Sequence, residues 1–140
     1  HMSHTSTLLS VLALTLIGFT ANANTYSEKQ IQCLAQNIYH EARGEPYEGQ
    51  LAVAYVTLNR TQDDYFHGSI CDVVYQKKQF SWTAKKPKIK EQKAWERSKL
   101  IAIIATILYD AGKDNTNGAL YFDGKKRKNS VRIGKHTSYQ

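Results

Sequence analysis

The chain carries two proline, two cysteine and one methionine residues, and no short repeat. So little proline, with eight glycines in 140 residues, excludes collagen-like and low-complexity classes. Two cysteines are too few for a disulfide-dense miniprotein or a four-cysteine zinc site. Acidic residues are also in short supply, 12 against 19 lysines and arginines, for a net charge of +7. The shortage is local: residues 1–76 sum to −4 and residues 77–140 to +11. A basic half of this kind favours a polyanionic partner, and nucleic acid, an anionic membrane and an acid-bearing bacterial wall all qualify. With 41% apolar and 22% charged residues, the composition describes one compact domain.

Long hydrophobic runs are scarce too. His1-Met2 reads as a tag remnant. Leu8–Phe19 is mostly apolar but too short for a comfortable bilayer span, and it has the length of the apolar region of a secretory signal. Ala21-Asn22-Ala23 supplies a small-x-small cleavage pattern, although Met2–Thr7 lacks the usual positive charge; the alternative is a buried N-terminal helix. The expected division is a leader over residues 1–23 and a domain over residues 24–140, exported to the periplasm, the medium or the wall. Leu100–Tyr109 stops at Asp110, so no stable membrane insertion is expected. Export would let Cys33 and Cys71 pair, stabilising by about 4 kcal/mol through loop closure; without export they read as two buried thiols.

Ser27–Gln30 has a capping-box pattern, and Ile31, Leu34, Ala35, Ile38 and Ala42 then recur at helical spacing. Gly44 is the expected stop, and Pro46 suits the first turn of a second helix reaching Arg60, apolar nearly all round from Leu51 to Val56. Asp63–Ser69 reads as a loop, and Val73–Tyr75 as a short strand or a turn of helix. A third long helix is expected from Glu91 to Ala111, with Ile101, Ile104, Ile107 and Leu108 inward and Gly112 as its stop. After a turn at Asn115–Gly118, Ala119–Phe122 reads as a short strand. The fold class is α+β, mainly α, in a single domain.

The densest run of polar groups is Tyr39–Gln50. Glu41 lies about 80° from the centre of the first helix's apolar stripe, at the edge of the core. It also sits in the last helical turn, where the dipole disfavours negative charge. Both effects favour the protonated carboxyl, which a general acid working near neutral pH needs. The plain alternative is a solvated surface carboxylate beside Arg43. Glu45 and Glu48 follow, but Gly44 and Pro46 break the helix, so neither is securely on Glu41's face. Glu45 reads as a helix cap or a partner of Arg43, and Asn59-Arg60 as satisfying backbone at a helix end.

Tyr39-x-Glu41-Ala42-Arg43-Gly44-Glu45-Pro46-x-Glu48-Gly49-Gln50, followed by Leu58-Asn59-Arg60, resembles the catalytic domain of the spore cortex-lytic type of bacterial cell-wall hydrolases. The likeness continues through Gly68–Gln76, Gln79-Phe80-Ser81-Trp82, Gly118–Phe122 and Ile133–His136. The resemblance implies a lysozyme-like fold of the lytic-transglycosylase and resuscitation-factor type, with Glu41 as catalytic acid. It implies peptidoglycan as substrate, cut between N-acetylmuramic acid and N-acetylglucosamine, by a lytic transglycosylase or a muramidase. Both a bacterial remodelling enzyme and a phage endolysin fit, working as a monomer without a cofactor. Hydrolysis uses a second carboxylate, whereas transglycosylation uses the sugar's own 6-hydroxyl and leaves a 1,6-anhydro end. Gln79, Ser81 and Tyr121 are candidate substrate contacts, with turn capping for the first two and packing for Tyr121 as the structural alternatives.

Rival chemistries find less support. His40-Glu41 begins like the zinc-protease pattern, but Gly44 stands where its second histidine belongs, and no Cys/His cluster has ligand spacing. No Gly-x-Ser-x-Gly elbow is present. Lys77–Lys99 interleaves basic residues with Phe80, Trp82 and Trp95, a pattern that could hold single-stranded nucleic acid. The alternative function is therefore a non-catalytic basic module for wall or nucleic acid; export argues against nucleic acid as partner.

Overall fold

The computed structural model describes residues 26–66, 68–77, 79–123 and 129–133. The leader and its cleavage site, Lys125–Lys128 and His136 lie outside these residues. Helix α1 spans Glu28–Ala42 and begins where the Ser27 hydroxyl accepts the Gln30 N–H at 3.2 Å. Leu34, Ala35, Ile38 and Ala42 are buried as their spacing predicts, while Ile31 is half-buried. The helix ends in a short turn in which Glu45 N–H bonds Ala42 O, and Pro46 has no N–H with which to continue it. Helix α2, Tyr47–Thr61, is buried without interruption from Gln50 to Arg60 and forms the middle of the core. Asn37 cross-links the two helices, donating to Thr57 Oγ1 at 3.1 Å in a fully buried position.

Val73-Val74 turns out to belong to a short helix, α3 (Ile70–Val74), opened by a reciprocal capping box between Ser69 and Asp72. A disulfide between Cys33 and Cys71 ties α3 to α1. One turn of helix, α4 (Trp82–Lys85), precedes the basic loop. Helix α5, Gln92–Asp110, then packs across α1 and α2. Its end is a Schellman motif: Lys113 N–H bonds Leu108 O, Gly112 N–H bonds Tyr109 O, and Gly112 takes φ +81°.

The inward face of α5 differs from the expectation. Ser98, Ile101, Ala102, Ala105 and Thr106 are buried, whereas Ile104 and Leu108 are half-buried and Ile107 is 63% exposed. Small side chains at helical spacing let α5 approach its neighbours closely, and Ile103 and Ile107 are left on the outer face.

Strands β1 (Tyr121–Asp123) and β2 (Ser130–Arg132) pair in parallel, with Phe122 opposite Val131. The sequence pattern predicts β1 but not β2. The approach to β1 is fastened to α2, because Asn59 Nδ2 donates to Ala119 O at 3.0 Å and Arg60 Nε to Leu120 O at 2.8 Å. Asp114 organises the preceding turn by accepting the Thr116 and Gly118 N–H groups. A Cβ at Gly49 would stand 2.9 Å from Ile133 Cγ2, so this residue must be glycine for the chain after β2 to lie against α2. No helix among the described residues is long and apolar enough to cross a membrane.

The Cys33–Cys71 bridge spans 38 residues. Loop closure of that length constrains the unfolded chain by about 4 kcal/mol. Replacing both cysteines by alanine should lower the urea unfolding free energy by about this amount with the native fold retained. A loss under about 1 kcal/mol would show that α1 and α3 hold together without it.

Candidate active site

Glu41 lies in the last turn of α1, three and seven residues beyond Ile38 and Leu34, so helical periodicity turns it toward the core. It is 5% exposed, and its Oε1 has no hydrogen-bond partner among the described residues. The residues flanking it are clamped. Tyr39, itself buried, accepts from Lys90 N–H and Glu91 N–H through its hydroxyl, at 3.2 and 3.1 Å. Two otherwise free donors before the first turn of α5 are thereby satisfied by α1. Arg43 donates to the Glu91 carboxylate and to Tyr39 O, and its guanidinium lies 4.7 Å from the Tyr39 ring centre. The end of α1 and the start of α5 are thus fixed to each other around Glu41.

A recess of about 380 Å³ opens there, lined by His40, Glu41, Arg43, Glu45 and Glu91 among others. The turn after α1 brings Glu45 back beside Glu41 in this recess, which the break at Gly44 and Pro46 had left unsettled. Glu48 faces a separate cavity of about 280 Å³ near Val131 and Ile133. Glu91 went unnoticed in the sequence, where it reads only as the start of a basic helix. Burial lowers the His40 pKa, and Arg43 adds to the effect, so the imidazole is neutral near pH 7.

Burial pushes the Glu41 carboxyl up from 4.5 to about 7, against the opposing pull of the Arg60 guanidinium. Arg60 is fully buried. Its charge sits among the rings of Phe66, Phe80 and Tyr121, at 4.6, 4.9 and 5.3 Å, while both terminal nitrogens lack hydrogen-bond partners among the described residues. Burial lowers its pKa to about 10 in spite of Tyr121 and Glu41. Glu41 and Arg60 influence each other without forming an ion pair, since the described residues contain two such pairs and neither includes them. Asn59 and Arg60 do satisfy backbone at the end of α2, as expected, but the carbonyls they bind lie 60 positions further along. Arg60 following the apolar run Leu51–Leu58 of the same helix was the available signal.

Tyr121 packs against Arg60 and does not itself line the recess. Gln79 and Ser81 flank Phe80, a second ring of the cage, but neither lines the recess. Gln79 is half-buried, and exposed Ser81 makes no side-chain bond to cap α4. Among the described residues, no group of three or more His, Cys, Asp and Glu is placed to hold a metal ion.

The raised carboxyl has a measurable effect on stability. Between pH 4.5 and about 7 the folded protein keeps a Glu41 proton that the unfolded chain releases. Its contribution is thus complete below pH 4.5 and lost as pH rises through 7. Glu41→Gln should match the parent near pH 4 and exceed it at pH 8.5 by on the order of 3 kcal/mol. Urea unfolding at the two pH values measures this, and an unchanged difference would mean that the carboxyl is solvated.

The chain matches the cell wall hydrolase family over residues 44–139, a match that begins three residues beyond Glu41. It is 46% identical over 59 residues to the spore cortex-lytic enzymes of Oceanobacillus iheyensis and Bacillus subtilis, covering 42% of this chain and 21% and 19% of theirs. The chain thus spans about a fifth of the length of these curated relatives. Its fold is similar to the catalytic domain of the germination-specific lytic transglycosylase SleB from Bacillus anthracis, with a TM-score of 0.55 and 35% identity. That likeness covers 71% of this chain and 76% of the other. A mainly helical domain with a small sheet, matched over more than two-thirds of its length, belongs to the cell wall hydrolase family.

Proposed function

We propose that this domain cleaves peptidoglycan strands between N-acetylmuramic acid and N-acetylglucosamine as a lytic transglycosylase, with Glu41 as general acid. The observation that carries the reading is a buried carboxyl with a pKa of about 7 facing a recess at the junction of α1 and α5. Such a group holds a proton at neutral pH and can deliver it to the leaving glycosidic oxygen. The bond from the muramic C1 to that oxygen then breaks, and the muramic 6-hydroxyl attacks C1 to close a 1,6-anhydro ring. Its proton returns to the Glu41 carboxylate, so the acid is regenerated and no water is consumed. Arg60 lends positive charge to the carboxylate during the interval in which it is ionised. Similarity to the SleB catalytic domain supports this chemistry. A working place at the wall, reached by export, follows from the same reading.

Hydrolysis by a muramidase is the second reading, and Glu45 in the same recess is the observation that favours it. The two reactions differ in their products. Digestion of purified peptidoglycan followed by mass spectrometry should give 1,6-anhydromuramic ends; reducing muramic ends would establish hydrolysis, and free peptides alone would remove glycan cleavage altogether. Glu41→Gln should lower kcat by about 10²–10⁴-fold with the fold intact, because the amide cannot donate the proton. Glu45→Gln and Glu48→Gln should each keep most activity; a loss at Glu45 equal to that at Glu41 would assign it the base of a hydrolase. For the free enzyme, kcat/KM should fall as pH rises through about 7, the range in which Glu41 loses its proton.

A further inference from the structure

A larger groove, of about 1030 Å³, runs beside α1 and is separate from the recess except at one residue. Lys29, Cys33, Gln36 and His40 form its α1 wall. These positions recur at helical spacing and extend over roughly 16 Å of helix. His40 also lines the Glu41 recess, so the groove leads to the acid.

The groove also has aromatic lining, Tyr75 and Trp82, held in place by α1. Trp82 Nε1 donates to Asn37 Oδ1 at 2.9 Å, and the Trp82 ring lies 4.4 Å from that of His40. The Tyr75 hydroxyl donates to Gln36 Oε1 at 2.7 Å. Surfaces fixed in this way lose little freedom when a ligand binds. The lining also carries three lysines, Lys29 from α1 and Lys86 and Lys88 from the segment after α4. Lys86 takes φ +48°, a backbone region where glycine or asparagine is usual, and its N–H closes α4 on Trp82 O. The one carboxylate in the wall, Asp72, is engaged with the Ser69 backbone, and the His40 imidazole is neutral.

Three lysines and two aromatic side chains in one groove select a ligand with both flat or apolar parts and carboxylates. The sugars of peptidoglycan are uncharged, and its carboxylates lie in the peptide branches attached to muramic acid. We propose that this groove binds the acidic peptide branch of a wall strand and so seats the neighbouring sugar bond at Glu41. The inference rests on peptidoglycan as the substrate.

Binding can be read without turnover, from the NMR shift of the Trp82 indole N–H on titration with N-acetylmuramoyl-L-alanyl-D-glutamate. A control ligand has both carboxyls of the glutamate amidated. The acid should bind at least tenfold more tightly than the amide. The triple variant Lys29→Gln, Lys86→Asn, Lys88→Gln should bind both alike; asparagine suits the left-handed backbone, and the remaining NMR signals report the fold. Lys113→Gln, remote from the groove, should leave the preference unchanged. Equal binding of acid and amide by the parent, or a preference that survives in the triple variant, would overturn the proposal. Acid-selective binding without cleavage of any strand would remove the reaction and keep the groove, whereas cleavage without acid selectivity would do the reverse.

Discussion

The buried guanidinium of Arg60 is the constraint on which most of the structure turns. Taking a charge out of water costs several kcal/mol, and here no carboxylate is in ion-pair contact to compensate. What offsets the cost is one hydrogen bond to Leu120 O and the faces of three aromatic rings. Those rings come from three separate places: the loop after α2, the segment before α4, and β1. One side chain on the central helix therefore gathers three irregular segments that have few regular hydrogen bonds of their own. Phe80 stacks on Phe122 within the same cluster, which closes the link between α4 and the sheet.

A second junction positions the acid. Tyr39 and Arg43 straddle Glu41 in sequence, and both engage the start of α5. The helix that carries the carboxyl cannot rotate without breaking these bonds. Trp95 lies edge-on to Tyr39 at 6.1 Å and extends the junction into α5. The disulfide restrains the same helix from its other side, so α1 is held at both ends and along one flank.

Much of this was legible from local pattern. The capping residue Ser27, the apolar stripe of α1, the all-round apolar centre of α2 and the stop at Gly112 depend on short-range chemistry, and each appears where the pattern puts it. Glu41 could be placed at the edge of the core from helical angle alone. The misses share a cause, which is dependence on distant partners. The inward face of α5 is set by how closely α1 and α2 approach, so Ala102 and Ala105 are buried while Ile107 is left outside. The role of Arg60 requires contacts across 60 residues that no local window contains, and β2 exists only as the partner of β1. Glu45 lines the recess from the turn that follows α1, a geometry that helix periodicity does not describe.

The separation between Glu41 and Arg60 is what makes the carboxyl useful. In direct contact, a guanidinium would hold the carboxylate ionised and take its pKa below the ordinary range, leaving no proton to give at neutral pH. With no cation nearby, burial alone would raise it further, and the conjugate base left after proton transfer would be costly to form. With Arg60 kept outside ion-pair distance, burial dominates and the guanidinium opposes it. The aromatic cage and the Leu120 carbonyl hold the guanidinium there. They satisfy it well enough that it need not move to the carboxylate, yet leave its terminal nitrogens without partners. The same rings that fasten β1 to α2 therefore also hold the charge that opposes the effect of burial on a carboxyl of α1.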